Sequence, residues 1–224
     1  MSGLMNMTTP QLKKIHSGKV RESYRIDDST RMILVTDRIS CFDSVLDTPV
    51  PGKGAILNGI ANFWFEQTRA ICENHFIEQI HPNISLFRET KPVRVEMIVR
   101  AYLTGSAWRE YEKGKRTFSG VALPDGMKKN QKLSSPVVTP TTKEHSDREI
   151  TPAEIVETGL ASKNSYETMA TISLRLFDFG AKKLAERGII LVDTKYEFGL
   201  VEDKVVLIDE IHTPDSSRFW NAEE

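Results

Sequence analysis

Residues 192–210 read VDTKYEFGLVEDKVVLIDE: two runs rich in β-branched and aromatic residues around a short polar turn, the pattern of a hairpin. In a half-buried strand, apolar and polar residues alternate, and residues i, i+2 and i+4 leave one face together. Asp193, Lys195 and Glu197 share such a face, and Asp209 and Glu210 close the apolar run 205–208. Charge is gathered where a sheet normally packs its core. Carboxylates set side by side across strands repel, and burial makes that worse, whereas Mg²⁺ prefers carboxylate oxygen. Glu197 and Asp209 are therefore candidate metal ligands, and Lys195 is a cation on the same face for a phosphate or carboxylate. Two registers stay open. A three-residue loop over 202–204 sets Glu197 opposite Asp209. A two-residue turn at Glu202-Asp203 sets it opposite Ile208, and Asp209 then points away unless a bulge re-aims it. The plainer alternative is a solvent-facing edge hairpin with Lys195 paired to its neighbours.

Upstream of the hairpin, residues 165–188 place Met169, Ile172, Leu176 and Leu184 on one stripe and stop at Gly188, which predicts the best helix of the chain. TPAEIVETG (151–159) predicts a short helix with Pro152 in its first turn. VRVEMIVRAYL (93–103) reads as a strand, followed by a short helix from Ser106 to about Lys113. GAILNGIANFWFEQTRAIC (54–72) carries Ile56, Ile60, Phe63, Trp64 and Ile71 at helical spacing. Residues 12–26 read as two strands around a glycine turn, and 31–37 as another strand. Residues 114–150 hold Gly, Pro, Ser and Thr in loops with short strands, and a stretch that long is more often functional than idle. The order strands, helix, strands, helices, strands predicts an α+β fold. It divides into a smaller N-terminal lobe (1–98) and a larger C-terminal lobe (99–224), with a cleft between them.

The chain has 224 residues and a formal net charge of −1, so there is no electrostatic case for nucleic acid or an anionic membrane as main partner. The basic run 128–132 reads as a solvated loop. Cys41 and Cys72 form no close pair or metal-ligand pattern, which suits a reducing cytosol. No apolar run approaches the ~20 residues of a membrane span, and the first residues lack the charged and apolar regions of a signal peptide. The expected location is cytoplasmic.

Three further clusters carry chemistry. In HSGKVRES (16–23), Gly18 lets backbone N–H groups approach phosphate oxygens, and Lys19 or Arg21 adds charge. The alternative is an ordinary hairpin turn; the spacing is not that of a P-loop. In VRAYLTGSAWREY (99–111), Arg100 and Ser106 at a helix start could hold one phosphate, unless Ser106 only caps the helix. In TPDSSRFW (213–220), a loop after a strand offers Asp215, Ser216, Ser217 and the Arg218 guanidinium, or simply a Pro-Asp turn with a surface arginine.

Taken in order, GKVRE-Y, TDRIS-FD, P-KG, IVRAYLTGSAW, TPTTK-EH, GIILVDTKYEFGL and LIDEIHTPDSSRFW resemble the signatures of the phosphoribosylaminoimidazole-succinocarboxamide synthases, the SAICAR synthetases of purine biosynthesis. The resemblance runs from about Leu12 to Trp220, and its last two motifs are highly specific as a pair. It implies an enzyme that uses ATP and Mg²⁺ to join L-aspartate to the carboxylate of 5-amino-4-carboxyimidazole ribotide (CAIR). It also implies an N-terminal lobe resembling the nucleotide lobe of protein kinases, and a family whose members are often oligomeric.

By the same resemblance, the Gly18-Lys19 turn covers the ATP phosphates, and the adenine lies near Glu96 and Met97, between the lobes. Glu197 and Asp209 hold Mg²⁺. Arg100, Ser106, Ser217 and Arg218 belong to the ribotide site, with the phosphate gripped by Arg100, Ser106 and Arg218. Asp193 and Lys195 face the imidazole amine and carboxylate, and Lys195, Asp193 and Lys19 are the expected catalytic groups. Thr141, Lys143, Asp37 and Arg38 belong to loops lining the aspartate and phosphate region.

Two features depart from the family pattern. EHSDREIT displaces Asp147 by one residue relative to the expected His-Asp, and the sequence stops at Glu224 where relatives usually continue. Two rivals are weighed. A kinase shares the N-lobe logic, but no H-R-D or D-F-G motif occurs. A nucleotide-binding non-enzyme descended from the synthetase is the other.

Overall fold

The computed structural model describes residues 3–7, 11–41, 44–143 and 147–223. The chain forms two compact units, Met1–Ala70 with Asn74–Lys91, and Ile71–Glu73 with Pro92–Glu224. Among the described residues no helix is long and apolar enough to cross a membrane.

The first unit contains β1 (Lys13–Ser17), β2 (Arg21–Arg25), β3 (Thr30–Val35), the two-residue strands β4 (Ser40–Cys41) and β5 (Ser44–Val45), α1 (Lys53–Gln67), β6 (Phe76–His81) and β7 (Ile84–Arg88). Five of the strands form an antiparallel sheet in the order β1-β2-β3-β7-β6. The β1–β2 turn closes through Gly18, whose N–H donates to the Arg21 carbonyl at 2.8 Å.

Helix α1 packs on the sheet through Leu57, Ala61, Trp64 and Phe65. The apolar spacing puts Ile56 and Phe63 on the core stripe, but they are 63% and 50% exposed. Two asparagines explain the rotation. Asn58 donates to the Pro82 carbonyl (3.0 Å) and Asn62 to Ser85 Oγ (2.8 Å), while Ser85 donates back to Asn58 Oδ1 (3.0 Å). These bonds turn a polar pair inward, and a buried amide must be paired. The helix also ends at Gln67, short of Ile71 and Cys72, which belong to the other unit.

The start of α1 is tightly seated. A Cβ at Gly54 would lie 2.3 Å from the Val35 carbonyl oxygen and 2.8 Å from the Thr36 carbonyl carbon. The Asn83 side chain, 2.6 Å away, could swing aside, but these two obstacles are backbone and cannot. Gly54→Ala is expected to destabilise the protein by about 2 kcal/mol or more, read as a lower urea midpoint at unchanged slope.

The second unit contains β8 (Lys91–Tyr102), α2 (Gly105–Glu112), β9 (Thr117–Phe118), β10 (Val121–Ala122), β11 (Lys132–Val138), β12 (Thr141–Thr142), α3 (Pro152–Glu157), α4 (Lys163–Ala185), β13 (Ile189–Val201), β14 (Lys204–Ile208) and β15 (Ser217–Asn221). A sheet runs β11-β8-β13-β14, with β12 joined to β8 and β15 to β13. The units divide at Lys91–Pro92, after the first residue of β8, whereas 98/99 lies in the middle of that strand. Helix α4 is capped by Ser162 and lays Met169, Ser173, Leu176, Phe177 and Gly180 inward, mainly onto β13. Helix α3 starts with a capping box, Thr151 and Glu154 bonding each other's backbone N–H.

The hairpin register is the two-residue one. Val201 pairs with Lys204 and Glu197 with Ile208. Glu202 (φ 48°) and Asp203 (φ 67°) are both left-handed, as a tight hairpin turn demands. The second half of β13 pairs with β14, and the first half pairs with β15 at Asp193↔Arg218 and Thr194↔Ser217. The chain therefore leaves β14 at Ile208, loops over residues 209–216, and rejoins β13 a few residues back from where it left. The segment SRFW (217–220), expected as loop, belongs to β15.

Candidate functional site

Strand β13 is buried on both faces. Val192, Thr194, Tyr196 and Phe198 alternate with Asp193 (4% exposed) and Glu197 (6%), with Lys195 between them half-buried. The alternative of a solvent-facing edge is excluded: the charged face is enclosed. Its charges are met by opposite charges from β8, from β15 and from Lys143, just after β12. Lys195 Nζ donates to Glu96 Oε1 at 2.9 Å and lies 3.9 Å from Glu197 Oε1. Arg218 Nε donates to Asp193 Oδ1 at 3.0 Å, and Arg100 Nη1 lies 3.6 Å from Asp193 Oδ2. Lys143, half-exposed, bonds Glu197 Oε2.

Asp209 is re-aimed, but not by a bulge. It takes a left-handed conformation (φ 66°) immediately after β14. This turn brings its carboxylate back toward Glu197, Lys143 and Lys195, on all of which its charge acts. The charges of Asp209 and Glu197 thus act on each other although the two residues are not opposed in the ladder.

The electrostatics follow from that crowding. Burial first, and then the Asp209 charge, push Glu197 up to about 8 against the pull of Lys143 and Lys195. Burial works against the Lys195 ammonium, but Glu96 and Glu197 outweigh it and hold its pKa above the ordinary value. Burial raises Asp193 even though Arg218 and Arg100 oppose the shift. Its Oδ2 accepts no hydrogen bond. A buried carboxylate oxygen without a donor costs free energy until a ligand supplies one.

Arg218 sits at the start of α2. A Cβ on Gly105 would lie 1.7 Å from Arg218 Nη1, and Gly105 has φ 58°. Only glycine permits both this approach and this backbone. Arg100 is oriented by Nε donating to Thr139 Oγ1 at 3.0 Å. Ser106 is exposed as the second residue of α2, and the cap position belongs to Thr104, so the alternative that Ser106 merely caps the helix fails. Arg218 thus lies beside Gly105, the residue before Ser106, and both Arg218 and Arg100 approach Asp193; guanidinium groups and a helix N-terminus are groups that can bind phosphate. Ser217, expected at the ribotide, shares a hydrogen bond with Thr194 (2.7 Å).

Other expected residues are placed differently. Thr141 pairs with Glu96 across β12 and β8, and its buried hydroxyl has no partner. Met97 is fully buried; alternation turns it into the core, away from Glu96. His145 lies outside the described residues, and Asp147 is exposed. In the first unit, Lys19 is exposed beside Gly18. Arg38 supports that turn, donating to the Gly18 carbonyl (3.1 Å), the Met5 carbonyl (3.1 Å) and Glu22 Oε1 (3.3 Å). Asp37 accepts from the N–H groups of Gly54 (2.9 Å) and Leu4 (2.8 Å). Both residues are held within their own unit by these bonds.

Sequence reasoning missed three pieces. They are the Glu96–Lys195 pair, the Glu22–Lys14–Tyr24–Arg38 network under the Gly18 turn, and the buried Tyr196–His212 contact. For the last, the structure shows that Gly180 packs against the His212 ring, a reason for glycine inside a helix that the sequence does not display.

The SAICAR synthetase family model matches residues 14–224. A phosphoribosylaminoimidazole-succinocarboxamide synthase of Flavobacterium psychrophilum is 45% identical over 222 residues, covering 97% of this chain and 70% of the relative. The solved SAICAR synthase of Saccharomyces cerevisiae complexed with SAICAR superposes with a TM-score of 0.88 at 33% identity, over 98% of this chain and 80% of that one. A SAICAR synthetase solved in complex with ADP gives 0.81 at 26% identity, over 93% and 84%. With its enclosed charged face, its re-aimed Asp209 and these likenesses over nearly its whole length, the chain belongs to the SAICAR synthetase family.

Proposed function

We propose that this protein is an ATP-dependent ligase that joins the amine of L-aspartate to the carboxylate of CAIR, giving SAICAR, ADP and phosphate. The observation that carries the reading is the enclosed face of β13, where Asp193, Lys195 and Glu197 meet Arg100, Arg218, Glu96 and Asp209. Such a face is costly unless ligands complete it. The relatives' names supply the reaction class.

In this assignment the ribotide phosphate is held by Arg100, Ser106 and Arg218. Asp193 accepts from the imidazole amine, and Lys195 neutralises the carboxylate that reacts. A carboxylate is a poor electrophile toward an amine, so its oxygen first attacks the γ-phosphorus of ATP. ADP leaves, the aspartate amine adds to the acyl phosphate, and inorganic phosphate departs. The transferred group needs positive charge and in-line placement. In the second unit Lys195 and Lys143 provide charge; in the first, the Gly18-Lys19 turn is the candidate for the nucleotide phosphates.

Glu197 and Asp209 fit a divalent ion by their chemistry: hard oxygen donors on one face, each raising the other's need for a cation. Mg²⁺ is commonly held by one or two carboxylates plus phosphate and water oxygens. When bound it would neutralise charge on the phosphate oxygens.

The test is ADP release from purified protein. Release that requires both CAIR and aspartate supports the ligase, while ATP binding without turnover supports a binding module instead. Within that assay, Arg218→Ala is expected to raise the KM for CAIR about 100-fold and leave the KM for aspartate unchanged, because it removes a charge-assisted contact made to the ribotide alone.

A further inference from the structure

Behind the charged face of β13 lies a polar pair that the reaction does not use. Tyr196 sits between Lys195 and Glu197 in sequence, but alternation sends it to the other side of the strand. Its hydroxyl is 2.6 Å from His212 Nε2, and the two residues are 0% and 1% exposed. Helix α4 presses on the ring: a Cβ at Gly180 would lie 2.2 Å from His212 Cε1 and 2.6 Å from Nδ1. Burial holds the imidazole neutral, with its pKa pulled down to about 3, so Nε2 can accept from the tyrosine hydroxyl.

His212 belongs to the same connection as Asp209. Both take left-handed backbone conformations, φ 48° and 66°, which side-chain-bearing residues keep only where surroundings over-determine them. Between them Ile211 is fully buried, and Glu210, also buried, accepts a hydrogen bond from the Thr213 hydroxyl. The connection is therefore anchored on the α4 side of the sheet and delivers Asp209 to the opposite, charged side.

We infer that the Tyr196–His212 pair is a positioning strut: it fixes the 209–213 turn so that Asp209 points at Glu197 and Lys195, and divalent-cation use depends on it although neither residue touches a ligand. This rests on reading Asp209 as a metal ligand. Neither residue is a catalytic residue; both act through Asp209.

Tyr196→Phe keeps the ring and removes only the hydroxyl. Mn²⁺ binding to the full chain in the presence of ADP, followed by electron paramagnetic resonance, is expected to weaken about tenfold, with the KM for aspartate unchanged. Gly180→Ala, which displaces the His212 ring without touching the hydroxyl, is expected to weaken Mn²⁺ in the same direction and serves if Tyr196→Phe does not fold. Asp209→Asn should weaken Mn²⁺ at least as much, and Tyr196→Phe added to Asp209→Asn should cost nothing further. Unchanged Mn²⁺ affinity in Tyr196→Phe, with only the melting temperature lowered, overturns the strut. Additive losses in the double variant also overturn it. Unchanged affinity in Asp209→Asn overturns the metal assignment instead, and with it the basis of the inference.

Discussion

Lys195→Met is expected to lower kcat by about a thousandfold. Lys195 lies on the charged strand face, 2.9 Å from Glu96 and 3.9 Å from Glu197. In the proposed reaction it neutralises the CAIR carboxylate as that group attacks phosphorus. Losing a fixed charge from a water-poor site typically costs two to three orders of magnitude. Methionine preserves much of the stem's volume and removes the ammonium. That ammonium also pairs with the buried Glu96, and breaking one side of a buried pair costs about 3–5 kcal/mol. The melting temperature should therefore fall as well. Measuring kcat at a temperature where circular dichroism shows the variant folded separates the two effects. A folded Lys195→Met with wild-type kcat would remove Lys195 from the chemistry.

The second large effect is on stability and comes from His212. Its folded pKa is about 3, because burial disfavours the imidazolium, against about 6.5 in an unfolded chain. The unfolded state therefore binds the extra proton between these values, and stability declines as pH falls through that window. The slope is about 1.4 kcal/mol per pH unit below pH 6.5, and the full loss by pH 3 is about 5 kcal/mol. Above pH 6.5 the contribution is complete. Asp193 and Glu197, whose pKa values are raised, act with the opposite sign over part of the range, so the useful quantity is a difference. Urea midpoints of wild type and His212→Gln at pH 7.5, 6 and 5 should show a flatter dependence for the variant. Parallel curves would mean that His212 is not held neutral in the folded state.

Much of this was legible in the sequence because it follows short-range rules. The i, i+2, i+4 placement of Asp193, Lys195 and Glu197 on one face is forced by strand geometry, and the structure keeps it. The helix over Lys163–Ala185 follows from its stripe and its end at a glycine. What escaped was set by contacts distant in sequence. The register at Glu202-Asp203 was open to two readings, and only a left-handed Asp209 reconciles the shorter turn with a shared site. No local pattern announces that backbone state at an aspartate. The face of α1 was misassigned because hydrophobic spacing cannot show that Asn58 and Asn62 have partners at Pro82 and Ser85. The Glu96–Lys195 pair joins residues from strands far apart in the chain, and Gly105 makes sense only beside Arg218. The family signatures carried these positions without their reasons.

The central claim is that Glu197 and Asp209, though not opposite each other in the β13–β14 hairpin, hold one divalent ion. Crystals grown with Mn²⁺ and ADP test it by anomalous scattering. The account predicts a manganese peak with an oxygen of each of these two carboxylates in its coordination sphere. A peak held by other side chains, with Glu197 still bonded only to Lys143, would contradict it.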